Sequence, residues 1–167
     1  MTHSTSIDAP AWEQRLRACL PLFGHRNWIV VADSAYPAQS KPGIETVLAT
    51  GTQIEVVRGV FNAIDACTHI KANVYTDQEL GLVAERDAPG ISEYRGHLAD
   101  LLDGAKMNCI PHEQIIAKLD QAAQVFRVLI IKTDMTIPYT SVFFELDCAY
   151  WNAEAEARLR KAISTAL

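Results

Sequence analysis

The sequence predicts an α/β layered domain with a mainly parallel central sheet flanked by helices. Three observations carry that expectation. Short apolar runs rich in β-branched residues recur along the chain, the clearest being the uncharged stretch Trp28-Ile-Val-Val-Ala32; such a run suits a strand buried on both faces. Between the runs lie segments whose apolar residues repeat at helical spacing. Strand and helix signals alternate over most of the chain, as they do where crossover helices join parallel strands.

Each element has its own justification. Residues 1–8 read as a loose tail, and Asp8 is placed to cap a helix that begins near Pro10. The apolar stripe of that helix is Trp12, Leu16, Cys19 and Leu20, and Gly24 is expected to end it. A strand follows over 27–32. The loop from Ser34 to Gly43 holds Pro37 and Pro42 among small polar residues, a composition expected of a functional or interface loop. Ile44 to Ala49 suits an edge strand. Thr52-Gln-Ile-Glu55 is a capping box, and Ile54, Val57, Phe61 and Ile64 continue it as one helical face. His69 to Tyr75 alternates like a strand.

A helix is expected from Pro89 to Leu102, stopped by Gly104, then a strand from Lys106 to Ile110. Pro111 opens the next helix, where a missing N–H costs nothing. Strands over Phe126–Ile131 and Ser141–Leu146 follow, joined by a loop containing Pro138 and Tyr139. That link is too short for a crossover helix, so these last strands are expected to form an antiparallel pair. The C-terminal extension, 152–166, reads as a helix with Glu154 and Glu156 early and Arg158, Arg160 and Lys161 later, an order the helix dipole favours. Its expected place is over a core, the alternative being a wider subunit contact. Tyr150 and Trp151 are expected as core anchors, the alternative being an aromatic wall for a sugar face.

Bulk properties narrow the function. A chain of 167 residues makes one domain, 1–167, able to bury a full core without metal or disulfide. The formal net charge is −5 with no basic block, which disfavours nucleic acid and anionic membranes as partners. No apolar stretch approaches the roughly 20 residues a membrane span requires. The start, MTHSTSIDAP, lacks the basic and apolar regions of a signal peptide. Cys19, Cys67, Cys109 and Cys148 are widely spaced without a CxxC. Reduced core thiols, no zinc site and residence in the cytoplasm are the expectation.

Several chemistries drop out on motif grounds. His112-Glu113 begins like HExxH, but position 116 is isoleucine. There is no GxGxxG, no P-loop and no GxSxG around Ser34. His69 and His97 fit a strand histidine and a helix-surface histidine. Four groups at element ends remain: His25, Asp33, His112 and Tyr139. Imidazoles suit proton transfer near neutral pH, a carboxylate can orient a hydroxyl, and a phenol can donate to a ring oxygen. Taken singly, each also fits an ordinary solvated strand end.

In combination these residues resemble a family. GHRNWIVVADSAYP is similar to the opening signature of the bacterial D-ribose pyranase and L-fucose mutarotase family: Gly24-His25, a hydrophobic strand, then Asp33-x-x-x-Pro37. GTQIEVVRGVFNAI looks like that family's helix after a second short strand, with Gly51 and Gly59 as counterparts. CIPHEQI resembles the stretch carrying its second histidine, here His112, and IPYTSVFFEL the segment carrying its tyrosine, here Tyr139. The pieces keep their order across residues 15 to 146. The chain departs from the pattern at Ser141, where the family has asparagine, and at Asp134-Met135 in place of Gly-Glu. It also has a longer stretch between His112 and Tyr139 and a C-terminal helix.

The resemblance implies the family's own α/β fold and a cofactor-free, metal-free enzyme that interconverts cyclic forms of a free monosaccharide. It implies His25 as general acid, with Tyr139 beside it in the catalytic set. Asp33 and His112 would bind and orient the sugar, and Tyr139 with the backbone of Thr140 and Ser141 would complete the pocket. It further implies ring-shaped homo-oligomers, often stacked decamers, with sites at subunit contacts. Strand geometry points the same way: eight extended residues span about 26 Å, too far for His25 and Asp33 of one chain to grip one sugar. Two readings stand beside this one. A non-catalytic sugar-binding or regulatory homologue would keep the assembly without turnover, and an unrelated α/β enzyme would match these motifs by coincidence.

Overall fold

The computed structural model describes residues 9–166. Its elements, in chain order, are α1 (Ala11–Cys19), β1 (Trp28–Ala32), β2 (Ile44–Leu48), α2 (Gln53–Asp65), β3 (Ile70–Asp77) and a 3-10 turn (Gln78–Gly81). There follow α3 (Ile91–Leu101), β4 (Met107–Ile110), α4 (His112–Ala122), β5 (Val128–Lys132), β6 (Val142–Cys148) and α5 (Ala153–Thr165). The strands form one six-stranded sheet in the order β2-β5-β1-β6-β3-β4. Only β6 runs against the others, antiparallel to both β1 and β3. The mainly parallel layered sheet is therefore as the sequence predicts.

The core forms on both faces of the sheet because the strand residues alternate between them. From β1, Ile29 and Val31 face one side, where Trp12 and Leu16 of α1, Val57 and Val60 of α2, and Leu98 of α3 pack. Trp28, Val30 and Ala32 face the other, where Ile115 and Leu119 of α4 join Ile130 and Phe143. Three helices thus cover one face and one covers the other. All five residues of β1 are buried, so the uncharged run marks the centre of the sheet. β2 is an edge strand, half exposed along its length, and Arg15 of α1 holds its Glu45 through two hydrogen bonds of 2.6 and 2.5 Å.

The α2 capping box forms as expected. Thr52 Oγ1 accepts from the Glu55 N–H at 3.3 Å, and the Thr52 N–H donates to Glu55 Oε2 at 2.7 Å. Gly59 lets α1 approach closely: a Cβ there would stand 2.8 Å from the indole of Trp12.

Several expectations need correction. β5 and β6 are antiparallel but do not pair; β1 lies between them, hydrogen-bonded to both. The short link crosses the end of β1 instead of closing a hairpin. Gly24 does not end α1, which stops at Leu20 with that residue still right-handed. Asp8 lies outside the described residues, and Pro10 stands at the N-cap. Cys109 is exposed, not a core thiol. Tyr150 and Trp151 are 77% and 46% exposed, and α5 contains no buried residue. The C-terminal helix therefore covers no core within its own chain. It is held locally, by an Asn152 cap that accepts from the Ala155 N–H and by Glu156, which accepts from Trp151 Nε1 and Arg160 Nε.

Candidate functional site at the strand ends

Because only β6 is reversed, the carboxyl ends of the five parallel strands and the amino end of β6 share one edge of the sheet. Open α/β sheets characteristically bind ligands in a crevice beyond the carboxyl ends of their strands. A cavity of about 370 Å³ opens there. It is lined by Asp33, Asp77, His112 and Tyr139, together with Tyr36 and Pro37 of the 34–43 loop.

Each group is placed by its own local structure. Asp33 is the first residue beyond β1; its Oδ1 accepts from the Ala35 N–H at 3.0 Å, bending the chain outward. Ser141 braces the same carboxylate: its Oγ accepts from the Asp33 N–H at 3.1 Å and donates to Asp33 Oδ2 at 3.0 Å. His112 is the first residue of α4. Pro111 offers that helix no side-chain cap, and Glu79 of the 3-10 turn supplies one, its carboxylate accepting from the His112 N–H at 3.0 Å. A carboxylate at a helix start is favoured by the dipole. Tyr139 follows Pro138 with φ of +60°, a conformation costly for a bulky residue and concentrated at functional sites. It sets the Tyr139 ring edge-on to the His112 ring, with centroids 5.8 Å apart.

Asp77 escaped the sequence reading. It is the last residue of β3, its side chain 1% exposed, and its Oδ1 lies 3.0 Å from His112 Nδ1. Its Oδ2 has no partner among the described residues, and neither does the buried Tyr36 hydroxyl. Burial pushes the Asp77 carboxyl up to about 6, against the lowering effect of His112 and with a further rise from nearby Glu79 and Asp33. Burial, with Asp120, Asp77 and Asp33 nearby, also raises the Tyr36 phenol. The missed signal was positional: Asp77 closes its strand as Asp33 follows its own.

Behind the cavity a buried network ties the strand ends together. Gln53 Nε2 donates to the carbonyls of Val31 and Thr140, while its Oε1 accepts from Thr133 Oγ1. The Tyr94 hydroxyl donates to the same Thr140 carbonyl at 2.6 Å. Thr140 and Ser141 are both buried, and neither lines the cavity of the single chain. Their visible work is to hold Tyr139 and Asp33 in place.

His25 lies at the opposite end of the sheet. It precedes β1, where Asp33 follows it, and its Nδ1 sits 2.9 Å from Asp147 Oδ1 of β6. It lines a separate depression with Lys118, Gln121 and Glu145. The structure thus brings Asp33, His112 and Tyr139 together and leaves His25 apart from them within one chain. Arg26, beside it, is the other non-glycine residue at positive φ among those described. A larger apolar depression, about 590 Å³, lies between α1 and α2. Its histidine, His69, is already occupied, Nε2 lying 3.1 Å from the Leu20 and Phe23 carbonyls.

The fold has counterparts among known proteins. The sequence model of the RbsD / FucU transport protein family matches residues 9–148. The chain belongs to this family. A search of curated protein sequences gives no match. Among solved structures, Bacillus subtilis RbsD complexed with D-ribose superposes with a TM-score of 0.55 at 16% identity, over 80% of this chain and 91% of that one. FucU from Bifidobacterium longum gives 0.52 at 16% identity, over 80% and 94%. The fucose mutarotase of Streptococcus pneumoniae in complex with L-fucose gives 0.52 at 16% identity, over 78% and 89%. At that identity these structures establish a shared fold. The family match ends at Cys148, so α5 lies outside the matched residues.

Proposed function

We propose that this RbsD/FucU protein interconverts the cyclic forms of a free monosaccharide, opening and reclosing the ring by general acid–base catalysis without a cofactor. The observation that carries this reading is the convergence of Asp33, His112 and Tyr139, from three separate segments, on one cavity of about 370 Å³. Ring opening needs a proton delivered to the ring oxygen and another removed from the anomeric hydroxyl. Imidazole, phenol and carboxylate provide donors and acceptors for both, and help of this kind is worth about 10²–10⁴ in rate. Asp33 and His112 bind and orient the sugar. Tyr139 stands in the catalytic set, backed by the buried Thr140 and Ser141, which hold it and Asp33 toward the sugar. The related structures bound to D-ribose and L-fucose support a monosaccharide as ligand.

His25 supplies the general acid from a neighbouring copy, because its place at the far end of β1 removes it from the cavity of its own chain. The functional unit is then a homo-oligomer, a ring or stacked decamer, working in the cytoplasm. A second reading, sugar binding without turnover, is favoured by one feature: both hydrogen bonds of the Ser141 hydroxyl go to Asp33, leaving it less free to serve a ligand.

Exchange NMR on a panel of free aldoses separates the two. Acceleration of anomer or pyranose–furanose exchange, abolished in His25→Ala, is the expected result. Saturation transfer showing binding with no acceleration would establish the second reading instead.

A further inference from the structure

The proposed reaction leaves one role open: the group that takes the anomeric proton. His112 is held on three sides. Its N–H donates to Glu79, its Nδ1 faces Asp77 Oδ1 at 3.0 Å, and the Tyr139 ring packs perpendicular to its own. The nitrogen left over is Nε2, on a side chain 31% exposed that lines the cavity. Asp77 gives the fold little reason to keep a charge there. A buried carboxylate costs free energy unless well paired, and this one has His112 as its single partner among the described residues, with Oδ2 unmatched.

We infer that Asp77 is a positioning residue that holds His112 as the Nδ1–H tautomer, making His112 Nε2 the base that removes the anomeric proton. This rests on the mutarotase reading above and completes it. The O1–H proton passes to Nε2, and the O1 electrons form the C1=O1 bond. The C1–O5 bond breaks with its electron pair moving to O5, which takes a proton from the general acid. Reclosure on either face, or through another hydroxyl, returns both protons. The Asp77 carboxylate offsets the transient imidazolium charge through the same 3.0 Å contact. The groups around Asp77 are His112 and Glu113 of α4, Glu79 of the 3-10 turn, Asp33 and Tyr36 beyond β1, and Tyr139 before β6, with Tyr94 and Arg95 of α3, Asp103 after it and Cys109 of β4 on the other side. Protonated, Asp77 would donate to Nδ1 and force the hydrogen onto Nε2, disabling the base. With burial raising its carboxyl to about 6, the exchange rate should fall as pH drops through that value.

The test has two arms on the full-length protein. Long-range ¹H–¹⁵N spectra of histidine-labelled wild type at pH 7.5, with His112 identified by its loss in His112→Gln, should show hydrogen on Nδ1 and none on Nε2. Hydrogen on Nε2 would overturn the inference, whatever the protein does to sugars. In the second arm, D-ribose and L-fucose exchange is measured for Asp77→Asn, whose neutral amide cannot offset the imidazolium charge and is able to donate to Nδ1, which would favour the other tautomer. The expected result is a loss of about 10²–10⁴ with sugar affinity within a few-fold of wild type, and disappearance of the acid limb near pH 6. Unchanged exchange in Asp77→Asn would also overturn it. A wild type that accelerates no aldose refutes the mutarotase reading separately, and the tautomer then decides the role of Asp77.

Discussion

Asp77 carries its charge where a neutral side chain would fold at lower cost, and the consequence is measurable. An unfolded carboxyl titrates near 4, whereas burial raises this one to about 6 in the folded protein. Between those values the folded state holds more protons than the unfolded one, so this group's contribution to stability falls as pH rises through the window. A difference of about two units is worth on the order of 2–3 kcal/mol. Asp77→Asn removes that dependence. Its melting temperature relative to wild type should climb from about pH 4 to about pH 6 and level off above; a flat difference would show that Asp77 does not titrate there. The variant that stabilises the fold is thus the one expected to impair turnover, a common trade at active sites. At this scale the sequence was informative where a group follows a strand or a proline, as Asp33, His112 and Tyr139 do. It was silent on Asp77 because aspartate is disfavoured inside strands, so the alternation seemed to end at Tyr75, two residues before β3 does.

Elements were legible to the extent that their signals are local. The α2 capping box, the buried β1 run and the edge character of β2 all follow from residues within one segment. Pairing between β5 and β6 was misread because their partner, β1, lies about a hundred residues earlier in the chain. A short link fixes direction but not adjacency. Helix α1 meets α2 at a point only glycine permits: a methyl at position 59 would press on the Trp12 ring from 2.8 Å, and that ring is buried. Overpacking of this kind costs roughly 1–3 kcal/mol, set against the about 1 kcal/mol by which alanine improves a helix. Gly59→Ala should therefore lower the thermal midpoint by a few degrees. A rise in a calorimetric scan would mean that Trp12 yields freely.

At the scale of the whole molecule, His25 and the Asp33–His112–Tyr139 cavity occupy opposite ends of one strand system. If each working site combines groups from two copies, defects in different groups should complement. His25→Ala and His112→Ala proteins, each inactive alone, are unfolded together and refolded as mixed assemblies. About a quarter of the sites should then hold both intact groups, with a matching fraction of exchange activity. Recovery of none would place both histidines in the same chain's service. No described helix is long and apolar enough to cross a membrane, and α5 projects Leu159 and Ile163, each nearly half exposed, outside the matched family region.

If sites are shared between copies as proposed, the two-ended layout favours assembly in a closed figure. A protomer that lends its imidazole forward and receives one from behind is a link with a hook and an eye. Any open row of such links ends in one idle hook and one empty eye, while joining the last to the first engages every one.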